Sequence, residues 1–271
     1  QCCHCPEPCG GDRHDTMISS VVALSLSSAS ALQAGAFHAP AASMRASSPA
    51  MMDKAGLEGL AKELNPIVGY WDPLGLSSGE FWGDSNEATI GFLREAEIKH
   101  GRVAMAGFVG YCVHANDIRF PFNSIAMATP KGLSPQELWD VMPEAGKWQI
   151  ILTIGFFEFW RENAAVLKGD GTVHYMRGGK PGYFPTFDML PHPVPYNLYD
   201  PFGWSAGASD EKKAKGLLAE VNNGRLAMIG LMGFLTEAKV PGSVPALTGL
   251  VKPYAGDVMA PFAADFHLLP Q

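Results

Sequence analysis

Charge is scarce in this chain: only 17% of its 271 residues are Asp, Glu, Lys or Arg, where soluble domains average about 25%. Long apolar runs are missing too, since no stretch of 18 or more uninterrupted apolar residues marks an obvious membrane span. Basic residues are few, the formal net charge is −7, and no Lys/Arg stripe exists, which excludes nucleic acid as the main partner. Cysteine is almost absent from the body, where Cys112 stands alone, so a disulfide scaffold is excluded there. The other four, Cys2, Cys3, Cys5 and Cys9, crowd around His4. Thiolates at that spacing are also compatible with a small zinc knuckle, but Met17 opens a better leader and residues 1–16 read as upstream sequence.

Acidic residues are missing altogether from Thr16 to Met52, while Arg45 is present. A short apolar stretch from Ile18 to Leu26 precedes Ser/Ala-rich sequence reaching Ala36-Phe37-His38-Ala39-Pro40. This is the composition of a targeting segment, and the Ala-Phe-x-Ala-Pro stretch resembles the cleavage region of presequences that enter complex plastids. Residues 17–52 are therefore read as a presequence and residues 53–86 as an N-terminal segment of the mature protein. A merely disordered N-terminus is the alternative.

What is present is an internal repeat. Residues 97–116 align without gaps to 220–239 with 8 identities in 20. Each copy is preceded by an Asp-Pro-x-Gly turn, Asp72-Pro73-Leu74-Gly75 and Asp200-Pro201-Phe202-Gly203. A third apolar segment, Gly146 to Arg161, lies between them among Pro- and Gly-rich loops. Three helices are predicted, at about 87–116, 146–168 and 211–239, within a domain over 87–239 and followed by a tail over 240–271.

The repeat carries its charges in register: Glu97, His100 and Arg102 match Glu220, Asn223 and Arg225. At ~100° per residue, positions three apart share a helix face, so Glu97 with His100, and Glu220 with Asn223, offer neighbouring donors. Arg102 lies ~140° from Glu97 and misses the usual helical pairing. Crossing the two repeat helices supplies the missing partners, Glu97 with Arg225 and Glu220 with Arg102, about a pseudo-two-fold axis. Small residues for a close crossing recur at Gly101, Ala104, Gly107, Gly110 and at Gly224, Ala227, Gly230, Gly233. Buried ion pairs in a soluble helical core would explain the charges equally. They would not explain why His114 and Glu237 again place ligand-capable side chains at matched positions.

In the middle helix Gln149 and Glu158 are nine residues apart, ~180° around, and would serve ligands on opposite sides. Arg161 stands at i+3 from Glu158 and offers local compensation. Single N and O donors scattered over apolar helices suit neither zinc, which wants about four convergent ligands, nor a di-iron bundle site, which needs a second Glu-x-x-His and two further Glu. They suit a macrocycle whose Mg²⁺ keeps one axial position for a hard donor, that is, chlorophyll.

The segments Glu97-Ile98-Lys99-His100-Gly101-Arg102 and Glu220-Val221-Asn222-Asn223-Gly224-Arg225 resemble the signature helices of the light-harvesting chlorophyll-binding superfamily, over roughly 66–240. Gly178-Gly179-Lys180-Pro181-Gly182-Tyr183-Phe184-Pro185 and Lys147-Trp148-Gln149 resemble its chlorophyll a/c branch, with the dinoflagellate peridinin type favoured over the fucoxanthin type. The resemblance implies an all-α membrane protein with three transmembrane helices, the first and third crossed, and no enzymatic activity. It implies axial Mg ligands at Glu97, His100, Glu220, Asn223 and Glu158, further pigment-binding positions at Gln149, His114 and Glu237, and counter-charges at Arg102, Arg225 and Arg161. Relatives often carry Gln where this chain has Glu237.

The implied cofactors are chlorophyll a, chlorophyll c and a carotenoid, peridinin or fucoxanthin, with diadinoxanthin as a further candidate. The implied role is delivery of excitation to a photosystem core, I or II, beside neighbouring antenna subunits and thylakoid lipids. An energy-dissipating relative and, in a different class, a non-pigment helical membrane or di-iron protein are the alternatives. The positive-inside rule sets the basic residues Lys168, Arg177, Lys180, Lys212, Lys213 and Lys215 against Arg119 and Lys131. It predicts a multi-pass thylakoid protein with a stromal N-terminus.

Overall fold

In the computed structural model, residues 52–118, 132–188, 200, 202, 207–257 and 262 are described. The presequence assignment up to residue 51, the cysteine cluster, Arg119, Lys131, and Pro201 and Gly203 of the second Asp-Pro-x-Gly turn lie outside them. All regular structure among the described residues is helical: α1 (Lys54–Leu64), α2 (Asn86–Ala115), α3 (Pro135–Val141), α4 (Glu144–Glu162), α5 (Ala164–Gly169) and α6 (Asp210–Lys239), with single 3₁₀ turns between them.

Five of the six helix starts are capped by a side chain, α4 being the exception. Asp53, Ser85, Ser134, Asn163 and Ser209 accept from free backbone N–H groups of α1, α2, α3, α5 and α6. Ser134 and Glu137 complete a capping box, with Pro135 in the first turn. Asn163 caps a new helix and so separates α4 from α5, which is why the helix expected to run to 168 stops at Glu162.

The turn at Asp72 is closed by its own carboxylate, which accepts from the amides of Leu76 (3.1 Å) and Ser77 (3.0 Å) and from the Ser77 hydroxyl (2.8 Å). Gly75 takes the left-handed conformation this requires, at φ +65°. These bonds, those of Ser77 foremost, hold the Asp72 carboxyl down at about 2.

The crossing of α2 and α6 organises the rest. Ile98 and Val221 meet Leu60, Leu64 and Leu218 in a small apolar cluster beneath α1. A strap over 170–184 wraps α2, and there a Cβ on Gly91 would stand 2.6 Å from the Tyr175 carbonyl oxygen. Beyond α6 the chain folds back, with the Tyr254 amide donating to Ala238 (2.8 Å) and its hydroxyl to Asp140 (2.7 Å).

The expectation of three transmembrane helices is corrected by this structure. Among the described residues, no helix is long and apolar enough to cross a membrane. Length is not what α2 and α6 lack, since 30 residues reach ~45 Å. Charge is what rules them out: α2 places Arg94, Glu95, Glu97, Lys99 and Arg102 within nine positions, and α4 carries Glu144, Lys147, Glu158, Arg161 and Glu162. The multi-pass thylakoid topology with a stromal N-terminus rested on those spans and is withdrawn with them. Part of the low overall charge has a simpler source, because Arg45 is the one charged residue in 17–52.

Candidate pigment-binding site

The α2–α6 crossing has its closest point at Gly101 and Gly224. A Cβ on Gly224 would lie 2.8 Å from the Gly101 Cα, and one on Gly101 would lie 3.1 Å from the Gly224 Cα. Any side chain here pushes two backbones apart. The rest of the small-residue row is used differently, because crossed helices diverge: Gly107 faces Leu231, Gly230 faces Phe108, and Gly110 has nothing within 4 Å. In that widening gap Phe234 stacks on Phe108 at 5.2 Å and on Tyr111 at 4.8 Å.

Both reciprocal ion pairs flank the contact. Arg225 reaches Glu97 Oε1 from Nη2 at 2.6 Å, and Arg102 reaches Glu220 Oε1 from Nε at 2.5 Å. Arg102 also donates to the Gly182 carbonyl at 2.6 Å, which ties the strap to the crossing. These pairs are only partly buried, with the two arginine side chains 38–40% exposed. Arg94, three residues before Glu97, donates to its Oε2 at 2.5 Å. That pair has ordinary i,i+3 spacing and was readable from the sequence.

His100 and Asn223 are exposed, each one position before its crossing glycine. His100 Nδ1 lies 2.7 Å from the Ala96 carbonyl oxygen. A carbonyl only accepts, so Nδ1 carries a proton, and in the neutral ring the lone pair is then on Nε2. That arrangement is how a second hydrogen bond orients a metal-ligating imidazole. The donor set of carboxylate and amide oxygens and an imidazole nitrogen, on exposed or half-buried positions, therefore fits one-donor ligation of a hard Mg²⁺.

In α4 the pairing expected between Glu158 and Arg161 is not made. Arg161 is 2% exposed; it donates to Glu95 Oε2 at 3.3 Å and lies 5.1 Å from the Tyr175 ring. Its Nε and Nη1 have no partner among the described residues. Glu95, 3% exposed, also accepts the Gly182 amide at 2.6 Å. Glu158 turns instead to Lys99 of α2, at 2.5 Å. Glu95 and Lys99 were missed from the sequence because a charge amid other charges gives no sign of being buried. Gln149 stands exposed nine residues before Glu158.

Of the second matched pair, His114 lies exposed in the last turn of α2, whereas Glu237 is buried. Glu237 accepts from the amides of Gly242 (2.9 Å) and Val244 (2.8 Å) and from the Ser243 hydroxyl (3.3 Å). Those amides, Gly242 first, hold its carboxyl below the ordinary range. It has no counter-charge because the turn after α6 neutralises it with N–H donors.

A cavity of about 440 Å³ opens between α2, α4, α6 and the strap, lined by both the Lys99–Glu158 and the Arg102–Glu220 pairs with Ile98, Phe157 and other apolar residues.

Comparison with known proteins gives the family. The family model described as Chlorophyll A-B binding protein matches residues 56–239. The chloroplastic fucoxanthin-chlorophyll a-c binding protein A of Phaeodactylum tricornutum is 33% identical over 186 residues, covering 65% of this chain and 78% of that protein. The chloroplastic fucoxanthin-chlorophyll a-c binding protein of Trieres chinensis is 30% identical over 188 residues, covering 66% and 78%. Protein A of Macrocystis pyrifera is 30% identical over 243 residues, covering 87% and 97%. These relatives are named for fucoxanthin, so the similarity is to the fucoxanthin-chlorophyll a-c proteins and does not single out the peridinin type. The chain belongs to the chlorophyll A-B binding protein family, whose members are non-catalytic, pigment-binding proteins of light harvesting.

Proposed function

We propose that the crossed pair and α4 hold chlorophyll a, chlorophyll c and a carotenoid of the fucoxanthin class, and that the chain passes absorbed excitation to a photosystem core, directly or through neighbouring antenna subunits. The observation that carries this reading is the doubled arrangement at Gly101 and Gly224. On each helix a carboxylate is compensated by an arginine of the opposite helix, and a neutral donor three residues on is exposed. When bound, chlorophyll and carotenoid supply the absorbing chromophores between which excitation moves.

The chain's own part is to hold and orient. Glu97, Glu220 and Glu158 offer carboxylate oxygens, His100 offers Nε2, and Asn223 and Gln149 offer amide oxygens. Arg225, Arg102 and Lys99 supply the counter-charges to these carboxylates and fix their rotamers. The backbone contact at Gly101 and Gly224 sets the spacing of the sites on the two helices. Exposed apolar side chains such as Val103, Leu152, Phe159 and Ile229 give a ring system apolar surface to lie against. Glu237 is left out of the ligand set, since it is buried as well as held by the turn after α6, and His114 is the candidate of that matched pair.

The test is an absorption spectrum of the purified native protein. Chlorophyll a and c bands with a carotenoid shoulder are expected, and the lack of a red chlorophyll band would overturn the reading. A fluorescence lifetime near that of free chlorophyll is expected for delivery. A lifetime strongly shortened at low pH would make the chain a dissipating relative instead.

A further inference from the structure

We propose that Lys99 is a positioning residue for the pigment held at Glu158: from a different helix it supplies the counter-charge to Glu158 and holds the carboxylate by Oε2. This rests on the reading of Glu158 as an axial ligand. Lys99 Nζ lies 2.5 Å from Glu158 Oε2, 3.8 Å from Glu162 Oε1 and 3.9 Å from Glu95 Oε1. Two of these three acids have partners of their own. Glu95 has Arg161 and the Gly182 amide, and Glu162 has His174 Nε2 at 2.5 Å. His174 Nδ1 accepts the Met176 amide, so Nε2 carries the proton and the imidazole donates to Glu162 as the neutral form.

The ammonium therefore belongs first to Glu158. Coulomb attraction falls with distance, so the 2.5 Å contact outweighs those at 3.8 and 3.9 Å. Arg161, the residue that spacing assigns to Glu158, is buried against Glu95 and Tyr175.

The choice of lysine has a chemical consequence. A guanidinium fork is built to occupy both carboxylate oxygens, whereas an ammonium is a point charge. Lys99 binds through Oε2, and no hydrogen bond to Oε1 is made among the described residues, which leaves that oxygen for an axial bond. The arrangement also completes a pattern: Glu97 with Arg225, Glu220 with Arg102 and Glu158 with Lys99 each pair a proposed carboxylate ligand with a cation from another helix. Without its cation, a carboxylate covered by an apolar ring is an uncompensated charge, which is costly to keep out of water.

The experiment compares the full chain with its pigments as wild type, Lys99→Met, Glu158→Gln, Glu158→Ala and the double variant Lys99→Met/Glu158→Gln. Its readouts are chlorophyll per chain by pigment extraction and the shape of the red band. Lys99→Met is expected to lose about one chlorophyll per chain because the carboxylate is left without its counter-charge and without the contact that fixes it. Glu158→Gln keeps that chlorophyll, and the double variant regains it, since an amide oxygen needs no counter-charge. Lys99→Gln gives the same comparison if the methionine variant does not fold. A full complement with an unchanged red band in Lys99→Met would overturn the proposal, as would a double variant no better than Lys99→Met. If Glu158→Ala keeps every chlorophyll, the ligand reading of Glu158 falls and Lys99's role with it. If Glu158→Ala loses one while Lys99→Met does not, Lys99's role alone falls.

Discussion

Arg161 of α4 donates to Glu95 of α2 rather than to Glu158, three residues before it on its own helix. Both partners are almost wholly buried, with side-chain exposures of 3% and 4%. The Gly182 amide adds a bond from the strap, so the pair joins α2, α4 and the strap. Truncating one member strands a buried charge, and Glu95→Ala or Arg161→Leu is expected to cost ~3–5 kcal/mol. The double change Glu95→Leu/Arg161→Met is expected to cost less than either. Denaturant unfolding of the three variants checks this order.

The two pairs at the crossing behave differently because they are wetter. With about two fifths of each arginine side chain exposed, solvent screens them, and each is expected to contribute ~1 kcal/mol or less. Arg225→Leu should lower the melting temperature slightly, and the exchange Glu97→Arg/Arg225→Glu should recover most of the loss. A drop as large as that of Arg161→Leu would mean that the crossing pairs, not Glu95–Arg161, hold the helices together.

The glycines separate packing from propensity. Gly101→Ala or Gly224→Ala sets a Cβ against backbone at 3.1 or 2.8 Å and is expected to destabilise by ~1–3 kcal/mol as the helices part. Gly110→Ala meets nothing within 4 Å and is expected to stabilise by up to ~1 kcal/mol through helix propensity. Thermal unfolding of the three variants distinguishes these signs.

Much of this was legible in the sequence. The repeat located α2 and α6, and the failure of Arg102 to reach Glu97 on one helix demanded the crossed partners that the structure makes. Local spacing misled at Arg161, because i,i+3 geometry permits a pair that burial awards to another helix. Glu237 misled for a related reason: the turn that neutralises it follows in the chain and carries no charge to signal it. The small-residue row suggested contact along its whole length, whereas crossed rods touch closely at one point. The membrane spans were inferred from composition and resemblance, and the charges clustered on α2 and α4 overrule them.

Acid should loosen the tail. The Glu237 carboxyl is held below its ordinary 4.5 by the amides of Gly242 and Val244. A group whose folded value is depressed contributes stability that is complete above the unfolded value and is lost as pH falls through the folded one. Asp72, lowered from 3.8 to about 2, acts in the same direction. The melting temperature is therefore expected to fall as pH drops below about 4.5. Glu237→Gln should flatten part of that decline while lowering stability at neutral pH. An unchanged acid profile in Glu237→Gln would remove its role in the turn.

The most direct measurement of the central claim is chlorophyll per chain in the purified native protein, beside His100→Ala and Asn223→Ala. The account predicts a red-absorbing wild type and the loss of about one chlorophyll from each variant, because a magnesium with one axial position depends on one donor. A wild type without chlorophyll, or both variants with the full complement, would contradict it.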